Sequence, residues 1–122
     1  MSQPTVPSSP RSAPAIERVR QHIAEHLDQP LALTDLAEIA GLSVWRLATV
    51  FRQQVGVSPH RYICRLRVER AQQLMQRGRS AACAVSEAGF YDQSHLSRHF
   101  KTICGITPGQ YLSAGRGATP GG

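Results

Sequence analysis

Lysine is almost missing from this chain: Lys101 is the only one among fourteen basic residues, which stand against eight acids. No apolar run approaches the roughly 18 residues that a membrane-spanning helix needs, so no such helix is expected. The N-terminus lacks the basic-then-apolar pattern of a secretory signal, and the expected compartment is the cytoplasm. Cysteine is scarce too. Cys64, Cys83 and Cys104 form no CxxC pair and are odd in number, which argues against a disulfide framework or a zinc ribbon. They are expected to be buried, reduced thiols. Finally, no stretch alternates as a half-buried strand should, so the chain is expected to be helical throughout.

What the chain does have is positive charge, unevenly placed. The net charge is +6 and the pI about 10.0, which suggests a polyanionic partner. From Ala15 to Trp45, two arginines stand against five acids, a net of −3. From Arg46 to Lys101, ten basic residues stand against three acids, a net of +7. One part of the chain is set aside for attracting anions.

Residues 1–14, rich in proline and serine, offer nothing to bury and read as a disordered linker; residues 113–122 read as a flexible tail. Between them the apolar residues recur with helical period. Ile16, Val19, Ile23 and Leu27 form the stripe of a first helix, which Pro30 closes. A short second helix holds Leu33, Leu36, Ala37, Ile39 and Ala40 and stops at Gly41. Ser43 caps a third, with Leu47, Val50, Phe51 and Val55 on its buried side. Ser58-Pro59 opens a long helix to about residue 76. An alanine-rich helix follows over about 81–88. The next begins near Asp92 with Leu96, Phe100 and Ile103. Thr107-Pro108 opens a last short helix with Tyr111 and Leu112.

Part of this text is written twice. GVSPHRYI at 56–63 returns as GITPGQYL at 105–112, and Leu47, Phe51, Gly56, Pro59 and Tyr62 recur as Leu96, Phe100, Gly105, Pro108 and Tyr111 at an offset of 49. Ala40-Gly41-Leu42 recurs as Ala88-Gly89-Phe90 at an offset of 48, so the second copy has one extra residue in its turn. Each copy is a short helix, a glycine turn and a second helix, which is a helix-turn-helix. The expected fold is all-α: seven helices forming two helix-turn-helix subdomains, at about 33–55 and 81–104, joined by a connecting helix at about 59–76.

In a DNA-binding helix-turn-helix the second helix enters the major groove. With Leu47 and Phe51 inward, 100° per residue turns Trp45, Thr49 and Arg52 outward, flanked by Ala48, Arg46 and Gln53. In the second copy Ser94, Arg98 and Lys101 turn outward, flanked by Gln93, His95, Ser97 and Thr102. Both faces are free of acids. Arg98 can pair bidentately with guanine O6 and N7. Residues 59–76 at helical rise span about 27 Å, a rod able to hold two reading helices roughly one DNA turn apart, ~34 Å.

The runs LAEIAGLS, F-x-x-x-x-G-x-SP, RLRVERAQQLM and GFYDQSHLSRHFK together resemble the DNA-binding domain of AraC/XylS-type transcription regulators over about residues 15–112. The resemblance implies a promoter-binding regulator, usually an activator that contacts RNA polymerase, with neither catalysis nor a required cofactor. Its base-reading positions fall on Trp45, Ala48 and Thr49 in the first unit and on Gln93, Ser94 and Arg98 in the second. Backbone contacts are expected from Arg46, Arg52, Arg61, Arg65, His95 and Lys101. One chain could bind as a monomer, with dimerisation left to a domain not seen here. The place of action would be the bacterial nucleoid. Three positions depart from the family pattern. Ala32 stands where serine or threonine usually caps the second helix, unless Thr34 caps a shorter one. Ala81 and Ala84 stand where larger aliphatics pack, so the second unit is expected to pack more loosely.

Two other readings compete. His22-Ile23-Ala24-Glu25-His26 fits H-x-x-E-H, the inverted zinc-peptidase pattern, with both imidazoles on one helix face. A catalytic zinc needs a third protein ligand and a cleft, and His60, His95 and His99 are the only other histidines. A helical adaptor that binds protein would explain an outward tryptophan but not the arginine excess or the duplicated unit.

Overall fold

The computed structural model describes residues 12–117, with side chains described for 13–114. Within that span there are seven helices and no strand: α1 (Ser12–Glu25), α2 (Leu33–Ala40), α3 (Val44–Val55), α4 (Pro59–Gln76), α5 (Ala81–Ala88), α6 (Gln93–Cys104) and α7 (Pro108–Gly117). Both ends of the helical region reach further than the sequence suggests. Residues 12–14 are the first turn of α1 rather than linker, and residues 113–117 continue α7 rather than a loose tail. Pro14 is tolerated there because first-turn N–H groups have no intrahelical partner to lose. The remaining expected linker, residues 1–11, and the tail, residues 118–122, lie outside the described residues.

The chain divides into two compact units, Met1–Ile63 and Cys64–Gly122, and the boundary falls inside α4. The expected connecting helix is therefore shared: its first turn belongs to the first unit and the rest to the second. In the first unit α1, α2 and α3 pack against one another. Ile16, Val19, Ile23, Leu36, Leu47, Val50 and Phe51 are essentially fully buried, each side chain contributing roughly 1.5–3 kcal/mol of burial. In the second unit Val68, Ala71, Leu74 and Met75 of α4 join Ala84, Ala88, Phe90, Leu96 and Phe100 in one cluster. Ala84 has no exposed surface and Ala81 is half-buried.

The ends of the helices account for their lengths. Gly41 and Gly89 follow α2 and α5 with φ of 72° and 88°, left-handed values that a side chain would strain, and they make the turn within each helix-turn-helix. Ser43 Oγ accepts the Arg46 N–H at 3.1 Å, and Asp92 Oδ1 accepts the His95 N–H at 2.8 Å. At α7 the cap is reciprocal: Thr107 Oγ1 accepts from Gln110 N–H (3.1 Å), and Gln110 Oε1 accepts from Thr107 N–H (3.0 Å). Ser58 Oγ accepts the Arg61 N–H at 3.2 Å at the start of α4, and Pro59 and Pro108 are both buried. Ala32 is the cap residue of α2 and offers no side-chain hydrogen bond, so Thr34 does not rescue it by shortening the helix.

The cysteines differ from one another. Cys64 is buried, while Cys83 and Cys104 are half-buried, and all three are free thiols. Gln72 Nε2 donates to Cys104 Sγ at 3.1 Å, and burial pushes that thiol's pKa up. Cys83 Sγ donates to Glu87 Oε2 (2.9 Å), which also pairs with Arg79 at 2.7 Å. The Cys83 hydrogen bond, then Arg79, hold the Glu87 carboxyl below its usual range.

Restoring the missing cap tests this account of the first unit. Ala32→Ser should stabilise the protein by about 1 kcal/mol in denaturant titration, because its hydroxyl satisfies an orphan N–H at the start of α2. Ser43→Ala should destabilise by a similar amount, the hydroxyl that accepts from Arg46 N–H being lost.

Candidate nucleic-acid interface

The glycine turns aim α3 and α6, and the inward residues set their roll. Leu47 and Phe51 on α3, and Leu96 and Phe100 on α6, have almost no exposed surface. Phe51 meets Tyr62 edge-on at a centroid distance of 5.3 Å and 71°; Phe100 meets Tyr111 at 5.4 Å and 67°. The duplication read from the sequence is thus a duplication of packing.

The outward face of α3 carries Trp45, which is 73% exposed, together with exposed Arg46, Arg52 and Gln53. Trp45 is therefore not a core residue. Ala48 and Thr49 are only half-buried, and the Thr49 hydroxyl donates to the Trp45 carbonyl at 3.0 Å. With that O–H engaged by the main chain, Thr49 offers its methyl group and oxygen lone pairs to a partner. On α6, Gln93, Ser94, Arg98 and Lys101 are exposed and His95 is half-buried. Arg61 and Arg65 are exposed on α4, while Arg67 is half-buried and burial lowers its guanidinium pKa.

The electrostatics of these faces are simple. Among the described residues, ion pairs join Arg20 to Glu17 at 3.4 Å and Arg79 to Glu87 at 2.7 Å, and neither draws on α3 or α6. The guanidinium groups of Arg46, Arg52 and Arg98 and the ammonium of Lys101 stand outside these pairs, ready for an external anion. His95 is different. Its Nδ1 accepts the Tyr91 N–H at 3.0 Å.

Tyr91 lies outside the set of residues expected from the sequence. Tyr91 is 91% exposed and lines an open depression of about 440 Å³ with Asp92, Ser94, His95 and Arg98. The signal for it was present as the extra residue in the second turn. Ile103, near the C-terminal end of α6, is 37% exposed.

The H-x-x-E-H residues are arranged as ordinary surface groups. The His22 and His26 rings stack at 4.1 Å, His26 Nδ1 lies 2.8 Å from the His22 carbonyl, and Gln21 Nε2 donates to Glu25 at 3.3 Å. A ring nitrogen of His26 and the Glu25 carboxylate are thus engaged within the helix.

Two helix-turn-helix units, each with an acid-free outward reading helix, define a double helix-turn-helix domain of the kind that docks on duplex DNA. Known proteins give the family. Residues 36–114 match the family model described as a helix-turn-helix domain. The DNA-binding domain of AdpA, solved in complex with a target DNA, is similar at TM-score 0.82 and 28% identity, over 88% of this chain and 98% of that one. An AraC-type transcriptional regulator from Chromobacterium violaceum is similar at TM-score 0.77 and 30% identity, over 90% and 97% of the two chains. The transcriptional activator RhaR of Escherichia coli is 33% identical over 97 residues, 79% of this chain and 34% of RhaR. The chain spans 27–38% of the length of the curated relatives it matches, about a third. The chain belongs to the AraC-type helix-turn-helix family of DNA-binding transcription regulators.

Because Trp45 is mostly outside the core, Trp45→Ala should leave stability within about 0.5 kcal/mol of the parent in thermal unfolding. A loss of several kcal/mol would return the indole to the core.

Proposed function

We propose that this chain is a sequence-specific regulator of transcription that binds promoter DNA through both units and acts as an activator. In this reading α3 and α6 enter successive major-groove segments on one face of the duplex. Trp45, Ala48 and Thr49 read bases in one segment, and Gln93, Ser94 and Arg98 read them in the other. Arg46, Arg52, Arg61, Arg65 and Lys101 neutralise phosphates, and His95 adds a further backbone contact. A single chain supplies both reading helices, so a second copy is not required on DNA. Activation proceeds by contact with RNA polymerase, as the AraC/XylS resemblance implies, in the cytoplasm and on the nucleoid.

The observation that carries this reading is the pair of acid-free outward faces on α3 and α6 in a chain of net charge +6. In the first unit, alanine, a threonine with its O–H engaged and a tryptophan cannot form long-armed bidentate pairs. Thymine-methyl contact and local DNA shape then decide specificity there. In the second unit Arg98 supplies the guanine-reading fork. The solved complex of AdpA with its target DNA and the activator role of RhaR support this reading.

Selecting bound sites from a random duplex pool tests the reading directly. A defined site should emerge, and five cationic backbone contacts at ~0.9 each predict a slope near −4.5 for log affinity against log salt concentration. Arg98→Ala should lose preference at one base position by about 1–3 kcal/mol while keeping the others. Weakening that is equal on every sequence would move Arg98 to the phosphates. A pool that yields no enriched site would remove the function altogether.

A further inference from the structure

The two units differ in their turns by one residue, and that residue is Tyr91. Ala40-Gly41-Leu42 maps onto Ala88-Gly89-Phe90 at an offset of 48, whereas the caps Ser43 and Asp92 map at 49. Tyr91 is what the second turn has and the first lacks. At 91% it is the most exposed large apolar residue among those described.

Its position is nevertheless fixed. The Tyr91 N–H donates to His95 Nδ1 at 3.0 Å. The His95 ring is braced edge-on by Phe90 at 5.4 Å and by His99 at 4.6 Å between centroids. Asp92, the next residue, is tied to the His95 N–H at 2.8 Å. The main chain is thus clamped on both sides of a side chain that projects into solvent. An exposed aromatic on a loose loop carries little meaning, but this one is aimed. It also shares its depression with Ser94 and Arg98, two of the residues assigned to base reading.

We propose that Tyr91 is a further DNA contact, its phenolic O–H donating to a backbone phosphate at the edge of the groove segment that α6 enters. This inference rests on the DNA-binding reading above and adds to it a contact made by the second unit alone. The partner is a phosphate rather than a base because of where the residue stands. It precedes the cap of α6, outside the turn whose side chains enter the groove, where a docked duplex runs its sugar-phosphate strand. A neutral phenol suits that place. Asp92 beside it already accepts a hydrogen bond, and Arg98 supplies positive charge to the same depression. Each unit then projects one aromatic from the start of its reading helix, Trp45 inside the first turn of α3 and Tyr91 just ahead of α6.

The test uses Tyr91→Phe and Tyr91→Ala, with binding measured by fluorescence anisotropy on a selected duplex and on its scrambled counterpart. Tyr91→Phe should weaken binding about 2- to 10-fold, equally on both duplexes, the effect of one neutral hydrogen bond. The salt slope should not change, because a neutral donor releases no counterion. Thermal unfolding of both variants should match the parent. Three results overturn the proposal: parental binding by Tyr91→Phe, a loss confined to the selected duplex, or a loss in Tyr91→Ala that Tyr91→Phe does not share. These differ from failure of the underlying reading, in which the unsubstituted chain itself binds no duplex.

Discussion

An edge-to-face contact between a phenylalanine and a tyrosine, made once in each unit, fixes what the protein can present. Phe51 against Tyr62 and Phe100 against Tyr111 have nearly the same separation and tilt. Such a pair contributes only about 0.5–1.5 kcal/mol beyond its buried area, so its importance is geometric. Each residue of a helix turns 100°, and a slip of one position would put Phe51 where Arg52 now stands. Each tyrosine reaches its phenylalanine because a glycine ends the reading helix and a capped proline starts the next. Both phenols are also tethered, Tyr62 by Arg20 at 3.3 Å and Tyr111 by Gln76. Arg20 also lies 5.8 Å over the Tyr62 ring, which adds a cation–π attraction.

Most of this architecture was legible in the sequence because its signals are local. Capping residues, glycine stops and the stripes through Ile16, Leu47 and Leu96 each depend on a few neighbouring positions. The repeat then joined them into two units without any long-range information. What could not be read was of two kinds. The ends of α1 and α7 went unseen because Pro14 is as compatible with a first helical turn as with a linker. The division of α4 between two cores depends on contacts, not on helical period, and a continuous stripe does not reveal it.

The exposure of the candidate faces was legible to the same degree. Opposition to Leu47 and Phe51 correctly turned Trp45, Arg46 and Arg52 outward. The same wheel left Thr49 too far out, because it takes no account of a hydroxyl folding back onto the carbonyl one turn earlier. Tyr91 lies beyond the wheel's reach, which extends only within helices, because it stands one place before a cap. Its neighbour Asp92 sets the second unit apart again, with an anionic cap where the first unit has the neutral Ser43. The preference for arginine over lysine fits the same surfaces. A planar fork of donors engages two acceptors at once, which an ammonium cannot do with the same geometry.

Trp45 has one more property. It is the sole tryptophan in the chain, and it stands in solvent at the head of α3. Light absorbed beyond the tyrosine band therefore excites a single fluorophore, and its emission is a private signal from one half of the molecule. No dye or label is needed to learn when that half is covered.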